Sequence, residues 1–300
     1  MGPTPIPPLR GVRVVSLAVN LPGPLACARL MSLGAEVCKV EPPSGDPLRT
    51  VAPGWYAELT AGQEVVTIDL KRVEGRAELD RRLSGADVLL TSMRPSALVR
   101  LGLLSLVERH GLVLVEIVGY DGDRADEAGH DLTYQAAWGT LDPPSMPLVP
   151  LVDLLGGERA VSATLAGIRR RQLGEPCAHE RVVLDDAAAA ASAGVRHGLT
   201  GSGDVLGGGS AAYGLYPSAD GYVAVAAIEP HFGERLAVSI GATRDELEAE
   251  LASETSAHWE ALGRALDIPI VAVHQPGAAM ARPVAITASA AASGAASGLV

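Results

Sequence analysis

The segment Gly129-His130-Asp131-Leu132-Thr133-Tyr134 sets a histidine beside a carboxylate at the mouth of a predicted helix, directly after a polar loop. His130 is able to exchange a proton near neutral pH, which few side chains can do. A lone histidine in such a place is also a common structural residue, and Asp131 has an alternative duty as a helix cap. A second carboxylate, Asp153, stands among apolar residues in Pro150-Leu151-Val152-Asp153-Leu154-Leu155-Gly156-Gly157. Burial there raises its pKa unless a donor stabilises the charge, and the plainer alternative is again a cap. Glu229, in Ala226-Ala227-Ile228-Glu229-Pro230-His231-Phe232, ends an apolar strand, where it either caps the following helix or reaches into a cleft.

Dinucleotide chemistry has little support. Between Leu17 and Arg29 the chain reads Asn20-Leu21-Pro22-Gly23-Pro24, with no Gly-x-Gly-x-x-Gly, and no Walker-type loop occurs. The run Gly207-Gly208-Gly209-Ser210 either brings backbone close to a ligand or serves as a hinge, and the hinge is the simpler reading.

These residues sit on a rhythm of short β-branched runs alternating with longer helical patterns, which specifies an α/β fold with a parallel sheet covered on both faces. Strands are predicted at Val12 to Leu17, Glu36 to Glu41, Val65 to Leu70, Asp87 to Thr91 and Leu112 to Val118. Pro24 suits the first turn of a helix running to Leu33, and Gly34 is placed to end it. Further helices are predicted at Val73 to Ser84, from Arg94-Pro95, at Leu132 to Leu141 and at Val152 to Arg171. Arg181 to Leu184 reads as a strand, with Asp185 capping the Ala-rich helix behind it.

The Gly/Ser-rich stretch from Leu199 to Ser210 marks a boundary, so residues 1–198 are expected to form a large Rossmann-like domain and 199–266 a smaller α+β domain. The smaller domain opens on a hairpin, Ala212 to Tyr216 and Tyr222 to Ala227 around Asp220-Gly221. Helices follow at Pro230 to Ile240, Arg244 to Leu251 and His258 to Leu266. Residues 267–300 are expected to give a last strand, Ile268 to Val273, and an Ala/Ser-rich tail with little pattern.

With 48% hydrophobic and 20% charged residues among 300, the chain is able to bury a sizeable core. No apolar run approaches the roughly 20 residues of a membrane span, so no membrane partner is expected. A net charge of −11 argues against a nucleic-acid partner but allows one polyanionic ligand in a local basic pocket. Cys27, Cys38 and Cys177 are too widely spaced for a disulfide framework or a paired-cysteine metal site, so no metal is expected. The proline-rich start, MGPTPIPPLRG, lacks an export pattern, which makes the cytoplasm the expected compartment.

Taken in order, these segments resemble the family III CoA-transferases, and in site pattern their relatives the α-methylacyl-CoA racemases. The resemblance runs through Leu9-Arg10-Gly11-Val12-Arg13-Val14, Leu33-Gly34-Ala35-Glu36-Val37, Lys39-Val40-Glu41-Pro42, Thr67-Ile68-Asp69-Leu70-Lys71, Asp87-Val88-Leu89-Leu90, Arg94-Pro95, Leu101-Gly102, the Gly129 to Tyr134 segment and Asp153. It implies a Rossmann-like large domain, a small domain, and a homodimer of interlocked chains. It also implies an acyl-CoA substrate, with coenzyme A arriving as part of that substrate and no tightly bound cofactor.

By the same resemblance Lys39 and Arg94 meet CoA, and Asp131 and Tyr134 line the thioester and pantetheine site. Asp153 matches the transferase nucleophile, which passes through a mixed anhydride and an aspartyl-CoA thioester. It matches equally the racemase acid/base that works with His130, while Glu229 falls where a glutamate supports that histidine. The stretch Thr60-Ala61-Gly62-Gln63-Glu64-Val65-Val66 lacks the basic, Asn-containing pattern usual there, so fewer phosphate contacts are expected from it.

Overall fold

The computed structural model describes residues 6–274. They separate into two compact units, one running to Ala191 and the other starting at Ser192.

The first unit begins with β1 (Arg13–Ser16), α1 (Pro22–Ser32) and β2 (Glu36–Glu41). Then come α2 (Pro47–Val51), α3 (Pro53–Thr60), β3 (Glu64–Thr67), α4 (Val73–Leu83), β4 (Val88–Thr91), α5 (Pro95–Arg100) and α6 (Leu103–His110). The unit ends with β5 (Val113–Val118), α7 (Asp131–Ala137), α8 (Leu151–Gln172), β6 (His179–Val183) and α9 (Leu184–Ala191). All six strands are parallel, in the order β3-β2-β1-β4-β5-β6, so the direction of winding reverses between β1 and β4. In such sheets the crevice at that reversal, outside the carboxyl ends of the strands, is where ligands bind.

Alternate strand residues feed two separate cores, as the period of two requires. Val14, Leu90, Val113 and Val115 pack on one face with Ala26 and Leu30 of α1 and Ala160 and Val161 of α8. Val15, Leu89 and Leu114 pack on the other with Leu79, Leu83, Leu103 and Val107. Gly156 and Gly157 let α8 approach closely, since a Cβ on the first would strike Leu184 and on the second Leu25 of α1.

Several elements depart from the sequence reading. Pro47 and Pro53 start the helices α2 and α3, for which no helix was predicted, because proline is tolerated in a first helical turn. The eight-residue α6 went unread. Strand β6 begins two residues earlier than expected and α9 starts at Leu184, so Asp185 lies inside the helix rather than capping it. Its Oδ1 accepts the Trp138 indole N–H at 2.9 Å.

The second unit holds α10 (Ala193–Arg196), the hairpin β7 (Tyr213–Ser218) and β8 (Gly221–Ala226), then α11 (Pro230–Ser239), α12 (Arg244–Leu251), α13 (Ser256–Leu266) and β9 (Ile270–Ala272). Its antiparallel sheet runs β7-β8-β9 and buries Tyr216, Val223, Val225 and Ile270 against Leu236, Leu247, Leu251 and Trp259. The Ala/Ser-rich tail expected at the C-terminus lies outside the described residues. Among the described residues no helix is long and apolar enough to cross a membrane.

Candidate active site

Where the winding reverses, the chain leaves β1 through Val19 and Asn20 and leaves β4 through Ser92 and Arg94. Together with Gly119 beyond β5, these residues border a cavity of about 220 Å³ that His130, Tyr134 and Asp153 also line. Every lining residue belongs to the first unit. The cavity thus brings together four residues that sequence alone singled out: Asp153, His130, Tyr134 and Arg94.

Asp153 occupies the first turn of α8. That turn is fastened to α7, because Asp131 Oδ1 accepts the backbone N–H groups of Val152 at 2.7 Å and Asp153 at 3.0 Å, and Asp131 Oδ2 accepts Gln135 Nε2 at 2.5 Å. Burial lifts the Asp153 pKa to about 6, and the neighbouring Asp131 charge adds to the rise. A helix N-terminus favours a carboxylate anion, so burial and like charge here outweigh the dipole.

His130 is the N-cap residue of α7 and is exposed. Its main chain is tied at both ends to Thr133, whose Oγ1 accepts the His130 N–H at 3.0 Å and donates to the His130 carbonyl at 2.7 Å. This reciprocal bond sets where the imidazole leaves the backbone.

Tyr134 is one of the largest fully buried side chains, 1% exposed, and its ring meets Tyr120 edge-on with centroids 5.3 Å apart. Its hydroxyl fits between Gly119 and Gly129, where a Cβ on either glycine would collide with it. Among the described residues no hydrogen-bond partner meets that hydroxyl. Burial first, then the charges of Tyr120, Asp153 and Asp185, push its pKa up to about 12, so it stays a protonated donor.

Two expected ligand contacts have internal duties instead. Lys39 is 1% exposed, with Nζ donating to Asp46 Oδ2 at 2.7 Å and to the Ala18 carbonyl at 3.0 Å, so it offers no charge to a surface ligand. Asp131 is committed to holding α8 and does not line the cavity. Glu229 is the exposed N-cap residue of α11 in the second unit, with no side-chain cap bond.

A second cavity, of about 600 Å³, lies at the carboxyl ends of β1 to β4 and shares Val19 and Ser92 with the first. Pro42, Ile68 and Met93 give it apolar walls, and Lys71 and Arg100 give it cations. Neither Asn20, Ser92 nor Arg100 stood out in the sequence. Only their position after strands that the fold makes neighbours marks them.

The profile of CoA-transferase family III matches residues 9–293. The α-methylacyl-CoA racemase of Mus musculus is 31% identical over 84% of this chain and 68% of its own length. The succinate–glutarate CoA-transferase of Agrobacterium fabrum is 31% identical over 80% of this chain and 68% of its own. Other curated transferases match over about half of their own length. Among solved structures, Rv3272 of Mycobacterium tuberculosis superposes with a TM-score of 0.77 at 27% identity, covering 90% of this chain and 85% of that one.

Proposed function

The chain belongs to CoA-transferase family III, and from that premise we propose that it moves the α-proton of a 2-methylacyl-CoA between the two faces of the thioester, with His130 and Asp153 as the paired acid and base. The observation that carries this reading is that both groups line one cavity, with the Asp153 pKa raised to about 6. An acid/base catalyst works best when its pKa lies near the operating pH.

One group takes the α-proton and leaves the electron pair in an enolate; the other returns a proton to the opposite face. The partners exchange roles for the reverse substrate. Negative charge grows on the thioester oxygen, and a donor already aimed at that oxygen lowers the barrier without reorganising. The Tyr134 hydroxyl has the required properties: it is buried, protonated, without a hydrogen-bond partner among the described residues, and within reach of the Asp153 charge.

Coenzyme A enters as part of the substrate, with no separate cofactor. Because the two cavities share Val19 and Ser92, a long thioester is able to place its acyl end at Asp153 and its phosphates toward Lys71 and Arg100. Those cations stand in for the basic stretch that Thr60 to Val66 lacks. The working assembly in this reading is a homodimer, which a mass measurement in solution tests.

A second reading, CoA transfer, is favoured by the transferases among the relatives and by Asp153 itself. There the Asp153 carboxylate attacks the thioester carbonyl and expels CoA thiolate, which re-attacks the anhydride to give aspartyl-CoA and free the first carboxylate. Two experiments separate the readings. Incubating branched acyl-CoA esters in heavy water reports α-proton exchange, while hydroxylamine trapping followed by mass measurement reports a covalent Asp153.

A further inference from the structure

Asn20 holds a left-handed backbone conformation, φ 68°, one of two non-glycine residues among the described ones to do so. Asparagine tolerates that region better than most residues, yet the conformation still needs support. The support is a buried charge network: Asp46 Oδ1 accepts the Asn20 N–H at 3.0 Å and the Leu48 N–H at 3.0 Å, while its Oδ2 takes the Lys39 ammonium. Lys39 also binds the Ala18 carbonyl two residues before Asn20. Lys39 and Asp46 are 1% and 2% exposed. Burying an ion pair rarely improves stability over an apolar pair, so this one invites a positional explanation.

What it positions is the rim of the reaction cavity. The Asn20 carboxamide lies at that rim, exposed, with no side-chain hydrogen bond among the described residues. Val19, Pro22, Ile117 and Leu184 supply apolar lining alongside it. At about 220 Å³, against about 600 Å³ for its neighbour, this is the smaller of the two adjoining cavities and suits a short acyl group.

We propose that Asn20 determines acyl specificity: its carboxamide, set by the Lys39–Asp46 pair, selects a short 2-methylacyl group carrying a hydroxyl or carbonyl oxygen close to the thioester. This deepens the proposed proton-transfer reading and rests on the same cavity. An amide offers both a donor and an acceptor, so it serves either oxygen. A polar group built to pair with a substrate oxygen penalises the analogue that lacks it, because the pairing is lost while the desolvation remains.

The test compares 2-methylbutyryl-CoA with 2-methyl-3-hydroxybutyryl-CoA, equal in chain length, by calorimetry on the full chain. The wild type is expected to bind the hydroxylated thioester about ten-fold more tightly. Asn20→Gly, which suits the positive φ and removes only the carboxamide, is expected to bring the two affinities together. Equal affinities in the wild type, preference for the unsubstituted ester, or a preference that survives Asn20→Gly each overturn the proposal. Discrimination without α-proton exchange in heavy water would sink the proposed reaction and leave the specificity standing. Exchange without discrimination would do the reverse.

Discussion

Asp131 grips the backbone of Asp153: its Oδ1 accepts the Asp153 N–H at 3.0 Å and that of Val152 at 2.7 Å, so one carboxylate orients another. The grip fixes the first turn of α8 against α7 and places a like charge beside the Asp153 carboxyl. The same neighbour therefore sets the position of Asp153 and adds, behind burial, to the rise in its pKa.

Asp131→Asn keeps an acceptor oxygen for both backbone N–H groups and removes the charge. If Asp153 must be ionised to act as base, kcat/KM in that direction rises with pH through about 6. In the variant the rise is expected to move to lower pH, though not to the ordinary aspartate value of 3.8, because burial is the larger cause and remains. A pH–rate profile of both proteins checks this.

The raised Asp153 pKa also has a stability consequence of definite sign. Since the native state holds the proton more tightly than the unfolded chain, the native protein pays least below pH 3.8 and loses stability as pH rises through about 6. Asp153→Asn is expected to stabilise the fold by about 3 kcal/mol at pH 7.5, with the gain shrinking towards pH 4. Urea midpoints at the two pH values measure it.

Tyr134→Phe deletes a hydroxyl that bonds to nothing else among the described residues. The melting temperature is expected to change little, while kcat falls by about 100-fold, the usual cost of a lost oxyanion donor. Gly129→Ala pushes on the same hydroxyl from outside and is expected to lower kcat as well.

Lys39→Met leaves Asp46 charged and unpaired in the interior. A loss of about 3–5 kcal/mol in denaturant unfolding is expected, and no change in the salt dependence of CoA binding. Lys71→Ala and Arg100→Ala are expected to weaken CoA binding and flatten that salt dependence at unchanged stability.

Much of this arrangement was legible before folding. Strand β2 and helix α12 fall where their periodicity puts them, and α4 differs by one residue at its end. The short helices α2, α3 and α6 escaped because five to eight residues carry too little periodicity, and leading prolines look like breaks. Asp153 and His130 stood out because charge among apolar residues and a histidine at a helix start are local signals. Asn20 and Ser92 gave none, since their meaning comes from β1 and β4 being neighbours at the winding reversal. Lys39 misled for the complementary reason: a basic residue at the right motif position is read as facing a ligand, and only tertiary packing shows Asp46 closing on it.

In the proposed reaction His130 and Asp153 exchange the α-proton across one thioester. The direct measurement is deuterium uptake at the α-carbon of (R)- and (S)-2-methylbutyryl-CoA in heavy water, read by mass spectrometry for the wild type, His130→Ala and Asp153→Asn. Uptake from both enantiomers is expected for the wild type, with loss of turnover between them in either variant. A wild type that binds the thioester without any uptake, while hydroxylamine converts Asp153 to its hydroxamate in the presence of the thioester, would overturn that reaction.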